Sequence, residues 1–370
     1  MASSRSLLMI CRMVFILAWL GVGSMPVSYA LSEMDDISLA QETGQGSLLV
    51  ADRLTDAPNN MTFYRMMVDG NLALNANIDH MQLGCGGFNS GLGGSAANAC
   101  DIDLDYVRLM GRGGGQPGAP GAGAAVTSDF VLVRPYLDIA IKNDGSASTR
   151  EVVGVKIGAQ TADGYFGVGQ FDKTGTTNCA SNPNQMGCHR GLNRISAYMK
   201  VHLTGDAYGC FGIFGCTSDP NPANQDHLAS FDNYQTYQAT RMQRIQASFT
   251  ADGDAATIPF GINVTANVNE SLRYVHGFIL DASLPEYTAD DFFLSFQRER
   301  VRYPNSKGKS NAFAPTANAG WWMNVPIVEA TGLKLYGVNA DAGALGGLNF
   351  QDVDLGQRPP DNCHGSLVFC

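Results

Sequence analysis

Charge is scarce in this 370-residue sequence: Asp, Glu, Lys and Arg make up 16% of it, and the acids outnumber the bases by 34 to 24. Binding to phosphates demands clustered Lys and Arg, so a nucleic-acid partner is excluded. Nor is there a polybasic run to meet an anionic membrane surface. Beyond residue 30 no apolar stretch is long and uncharged enough to cross a bilayer as a helix, so no transmembrane span is expected in the mature chain.

Catalytic signatures are missing too. No G-x-S-x-G elbow occurs; "GGSAA" at 93–97 lacks the closing glycine and follows no clear strand. The six histidines, at 80, 189, 202, 227, 276 and 364, form no H-E-x-x-H or other close metal pair. Cys188-His189 and Cys363-His364 imitate a zinc donor pair, but in an oxidising compartment disulfides are the expected fate of such cysteines. The expectation is a protein that is not an enzyme. Acid pairs for glycoside hydrolysis meet in space rather than in sequence and escape such a scan.

What is present begins with an export leader. Arg5 and Arg12 precede the apolar run Met13 to Val22, and Ser28 and Ala30 supply small residues before a cut near Leu31. Residues 1–30 thus read as a signal peptide. Removing Arg5 and Arg12 leaves 22 basic against 34 acidic side chains, a net charge of −12. Roughly 340 residues remain, ample for one large β domain or two ordinary ones.

Eight cysteines follow the leader as near neighbours: Cys85 and Cys100, Cys179 and Cys188, Cys210 and Cys216, Cys363 and Cys370. About 105 pairings exist in principle. Local pairing is the simplest, each bridge stapling a Gly-rich or Asn-rich loop.

Ser32 and Asp35 form a capping arrangement, Gly44 a stop, and Met34, Ile37 and Ala40 an apolar stripe, so residues 31–45 read as a short N-terminal helix. It packs on its own domain or docks on a partner. Period-two alternation then dominates, as in "NLALNANIDHMQLG" from Asn71 and "FVLVRPYLDIAIKNDG" from Phe130. "REVVGVKIGAQTADGYFGVGQFD" reads as two strands about Ala162-Asp163-Gly164, while residues 231–250 have helical spacing but strand-like Tyr and Thr content. Short strand-like pieces ending in Gly recur at irregular spacing, at 80–84, 106–111, 200–205, 332–337 and 352–356. Residues 46–370 therefore read as an all-β, disulfide-stapled sandwich or jelly-roll, with a β-solenoid as the alternative. The Gly-rich stretch within 111–127 is the place where that domain would divide. An outer-membrane barrel also fits strand alternation, though the apolar runs are irregular.

Two features carry ligand chemistry. In "CDIDLDYVRLM", Asp101, Asp103 and Asp105 would share one strand face about 7 Å apart, suited to calcium. Trp321 and Trp322 would point to opposite faces, one filling the core and the other free to stack on a sugar or a partner.

Two stretches also carry a family resemblance. "LSEMDDISLAQETGQGSLLV" from Leu31, with Met34-Asp35-Asp36 and Thr43-Gly44-Gln45, is one. Residues 128–169, with Pro135, Lys142-Asn143 and Ser148-Thr149-Arg150-Glu151, are the other. Together they resemble uncharacterised exported gammaproteobacterial proteins grouped with Fil-type pilus-system components. The resemblance covers about a sixth of the chain and brings no catalytic residues. It implies a structural protein of the cell surface or periplasm of a Gram-negative bacterium, possible partners being other envelope or filament proteins or further copies of itself. The alternative function is a secreted carbohydrate-binding or carbohydrate-cleaving β-sandwich.

Overall fold

The computed structural model describes residues 49–362, except 92–97, 113–127, 172–188, 212–225, 254–263, 281–290, 306–311, 341–347, 352–354, 356 and 358. The expected leader at 1–30, the expected helix at 31–45 and the cysteines at 179, 188, 216, 363 and 370 lie outside the described residues, as does the side chain of Cys210. The described residues belong to one unit running from Leu49 to Cys370.

The all-β expectation holds: strands make up 71% and no α-helix occurs among the described residues. In chain order the strands are β1 (Leu49–Asp56), β2 (Met61–Val68), β3 (Asn71–Leu74), β4 (Ala76–Leu83), β5 (Ile102–Met110) and β6 (Phe130–Lys142). Next come β7 (Glu151–Gly167), β8 (Gln170–Phe171), β9 (His189–Arg190), β10 (Leu192–Phe211), β11 (Asp226–Met242) and β12 (Arg244–Gly253). Last are β13 (Val264–Ser271), β14 (Gly277–Leu280), β15 (Phe292–Gln297), β16 (Gly320–Ala340) and β17 (Leu348–Gln351). All but β8 and β9, which pair with each other, belong to a single mixed sheet.

That sheet closes on itself. β5 pairs with β10, β10 with β16, β16 with β15, β15 with β7, and β7 again with β5. Inside this circuit Ile102, Leu104, Phe166, Leu192 and Ile195 share one apolar cluster. The same cluster continues between β10 and β16 on one side and β12, β13 and β17 on the other, through Leu203, Leu335, Ala247, Val268 and Phe350. The sheet thus folds into facing layers around a common core rather than coiling as a solenoid. The disulfide Cys85–Cys100 staples the connection between β4 and β5.

One strand is longer than its sequence suggests. Ala162-Asp163-Gly164 is no turn but lies inside β7 near its C-terminal end, because Asp163 pairs with Val131 and Gly164 with Leu280, carrying the strand straight through. Residues 231–250 resolve as strand in β11 and β12, interrupted at Gln243. Of the recurrent Gly-ended pieces, those at Gly84 and Gly111 do close strands, whereas Gly205 sits inside β10, where its bare backbone passes Leu333 of the neighbouring strand.

A small apolar cavity of about 30 Å³ lies in the core, lined in part by Leu203, Phe231, Tyr237 and Val268. Among the described residues the buried Tyr237 hydroxyl has no hydrogen-bond partner. Burial pushes it up to about 12 from the ordinary 10.0. A raised folded-state value means that its contribution is fully present below pH 10 and is lost as pH rises to about 12. Tyr237→Phe, which removes an unpaired buried hydroxyl, should raise stability at neutral pH by about 1–3 kcal/mol. It should also make the decline between pH 10 and 12 shallower in urea melts, and a net loss of stability at neutral pH would refute this account.

Candidate functional site

The three aspartates of the acidic stretch part company. Asp103 and Asp105 do share a strand face: His80 on the neighbouring β4 places Nε2 3.1 Å from Asp103 Oδ1 and 3.5 Å from Asp105 Oδ1. Asn193, at the start of β10, donates to Asp105 Oδ2 at 2.8 Å. The donor atoms of His80, Asp103 and Asp105 all lie within 4.8 Å of one another on the exposed side of the sheet. An imidazole with two carboxylates suits a divalent cation, and His80 leans the set toward a softer ion than calcium.

Asp101 does something else. It precedes β5, is 1% exposed, and accepts from Asn89 Nδ2 and Arg241 Nε at 2.9 Å each through Oδ1 and from the Trp321 backbone N–H at 3.0 Å through Oδ2. Its carboxylate is therefore committed to a buried guanidinium rather than to the cluster of Asp103 and Asp105. Gly84 and Gly320, at φ +71 and +94, bring their backbones so close that a Cβ on either would strike this carboxylate. No local signal marked this arrangement, because Arg241 sits in a polar stretch, "YQATRMQR", with Arg244 close behind it.

The tryptophans divide as alternation requires. Trp322 is fully buried in a second apolar cluster with Phe63, Phe293 and Tyr303, so no ligand reaches it. Trp321 is half-buried, with its ring 5.4 Å from that of Phe296. Phe296 lines an open pocket of about 430 Å³, together with Phe88, Asp101, Gly84, Gly87 and Gly320. A shallow recess with aromatic walls beside the disulfide is what the structure offers a ring-shaped ligand.

Sequence reasoning missed three features. The first is a row of buried polar groups on the inner face of adjacent strands: Arg65 on β2, Asp138 on β6, Lys156 on β7 and Ser295 on β15 are side by side in register. Arg65 clasps both Asp138 oxygens at 2.7 Å. The signal was a charged residue inside an apolar strand, Asp138 in "PYLDIAI" and Lys156 in "GVKIG". The second is a buried histidine pair, His189 Nδ1 lying 2.8 Å from His276 Nε2. His276 Nδ1 faces the Val168 carbonyl at 3.1 Å, which can only accept, so Nδ1 carries a proton, and in the neutral ring Nε2 would accept from His189.

The third is apolar exposure on the opposite face of the same strands. Tyr64, Met66 and Val68 on β2 and Leu49 on β1 are exposed, and Met66 is in register with Leu137 and then Ile157, itself 62% exposed. β1 is an end of the sheet order, so its outer backbone edge is open in that order.

Compared with known proteins, the chain matches no family model, no curated protein and no solved structure.

The two acidic positions should separate in stability. Asp101→Ala, which strands a buried guanidinium, is expected to cost about 3–5 kcal/mol. Asp105→Ala, which removes a half-buried carboxylate that accepts from Asn193, should cost no more than about 1.5 kcal/mol. Equal shifts in denaturant midpoint would contradict the buried role of Asp101.

Proposed function

We propose that the chain is an exported structural protein of the Gram-negative envelope or cell surface, associated with filaments or adhesion, whose partners are other envelope proteins or further copies of itself. The observation that supports this reading is the exposed apolar face of β1, β2, β6 and β7 beside an edge of β1 that no strand among the described residues pairs with. A contiguous apolar surface of that kind is costly in water and is removed from it by association. The leader, the disulfide and the resemblance to Fil-type proteins support the same reading. Immunogold electron microscopy with antibody to the mature chain should decorate filaments or patches on intact cells. Ile157→Lys should abolish that pattern while leaving the melting temperature of the purified chain unchanged; label confined to permeabilised cells would refute surface display.

A second reading, a secreted carbohydrate-binding protein, is favoured by the aromatic pocket at Phe88 and Phe296 with Trp321 behind it. Cation binding at His80, Asp103 and Asp105 would accompany it, with calcium or a softer divalent ion as the guest. Calorimetric titration of the parent protein should then give heat that Asp105→Asn removes, and a blank glycan array together with no heat would dismiss this reading.

A further inference from the structure

The buried row of polar groups contains a lysine in an unusual setting. Lys156 is fully buried, and its Nζ lies 4.6, 4.8 and 5.5 Å from the ring centres of Phe293, Tyr136 and Tyr303. Two carboxylates reach the same nitrogen: Asp138 Oδ2 at 3.4 Å and Asp291 Oδ1 at 3.9 Å. The Pro304 carbonyl accepts from Nζ at 2.9 Å.

The two carboxylates differ in what holds them. Asp138 is gripped through both oxygens by the Arg65 fork, which fixes its position and orientation beside Nζ. Asp291 immediately precedes β15, has a left-handed backbone at φ 71, and its Oδ1 accepts from the Tyr136 hydroxyl at 3.5 Å. Its main-chain carbonyl takes the Asn324 side-chain amide at 2.7 Å, which fixes the residue against β16. Room for the lysine stem comes from Gly158, the next residue of β7 on that face, where a Cβ would meet Phe293 Cβ at 2.6 Å and the Tyr136 hydroxyl at 3.0 Å.

We propose that Lys156 and Asp291 condense into an intramolecular amide that cross-links β7 to the start of β15. The step balances without any oxidant, reductant or cofactor: the Lys156 ammonium and the Asp291 carboxylate give an amide and one water. The Nζ–Cγ bond forms, one Cγ–O bond breaks, and two ammonium protons leave with that oxygen, relayed by Asp138. Tyr136 donates to the oxygen that stays and steadies the charge that builds on it.

Three physical facts favour the reaction. Burial pushes Lys156 below its ordinary value, against the pull of Asp138 and Asp291, so the attacking amine is easier to obtain. Two groups held side by side in one buried site react with effective concentrations far beyond any in solution. Turning a buried ammonium and carboxylate into a neutral amide also removes the desolvation cost of the pair.

Intact-mass spectrometry of the purified mature chain, reduced and denatured, tests this directly. The expected mass is one water below that of the sequence, and digestion should give a branched peptide joining the segment of Lys156 to that of Asp291. Lys156→Arg, which keeps the buried cation, should restore the full sequence mass. An unmodified parent mass would overturn the proposal, as would a branch ending on any residue other than Asp291.

Discussion

A single buried ion pair organises the middle of the sheet. Asp101 receives Arg241 from the end of β11, Asn89 from the disulfide-closed loop and the Trp321 backbone from the start of β16. Its own carbonyl accepts the Ser196 N–H of β10. Three segments are thereby fixed about one carboxylate and a fourth about the carbonyl of the same residue, where the circuit of strands passes from β5 to β10 and β16. Such an arrangement contributes little to net stability when complete, because desolvation offsets the attraction, but it penalises every alternative packing in which the charge is left alone.

The strands β2, β6 and β7 turn the usual distribution of polarity around. Their inner face carries Arg65, Asp138 and Lys156, roofed by the segment containing Val301, Tyr303, Ala314 and Ala317. Their outer face carries Met66, Leu137 and Ile157. The inner charges are tolerable because each has a partner of opposite sign or a carbonyl within reach. The outer apolar groups have no such compensation within the described residues, and this asymmetry is the physical basis for reading the face as a surface for association.

Strand content and the near pairing of Cys85 with Cys100 were legible from alternation, turn residues and spacing, since these are local properties. The opposite orientation of Trp321 and Trp322 was legible for the same reason. The fate of Asp101 was not: alternation grouped it with Asp103 and Asp105, and only the arrival of Arg241 from far along the chain set it apart. Nor was the unbroken run of β7 through Gly164, where neighbours on both sides override a turn-like triplet. The lysine cage draws on β6, β7, β15 and the segment at 303–304, which no window of sequence brings together.

The two longest strands, β10 and β16, pair in parallel, joining residue 197 to residue 323 and residue 211 to residue 340. Parallel neighbours of that kind cannot be reached by a hairpin, and a large loop must close before any of their ladder forms. The chain must therefore complete β11 to β15 before the centre of its sheet exists, and until then long apolar strands lack their neighbours. Folding should be slow on the scale of β proteins, with a long window of vulnerability to mispairing. That window closes only when β16, the last long strand, has arrived beside β10.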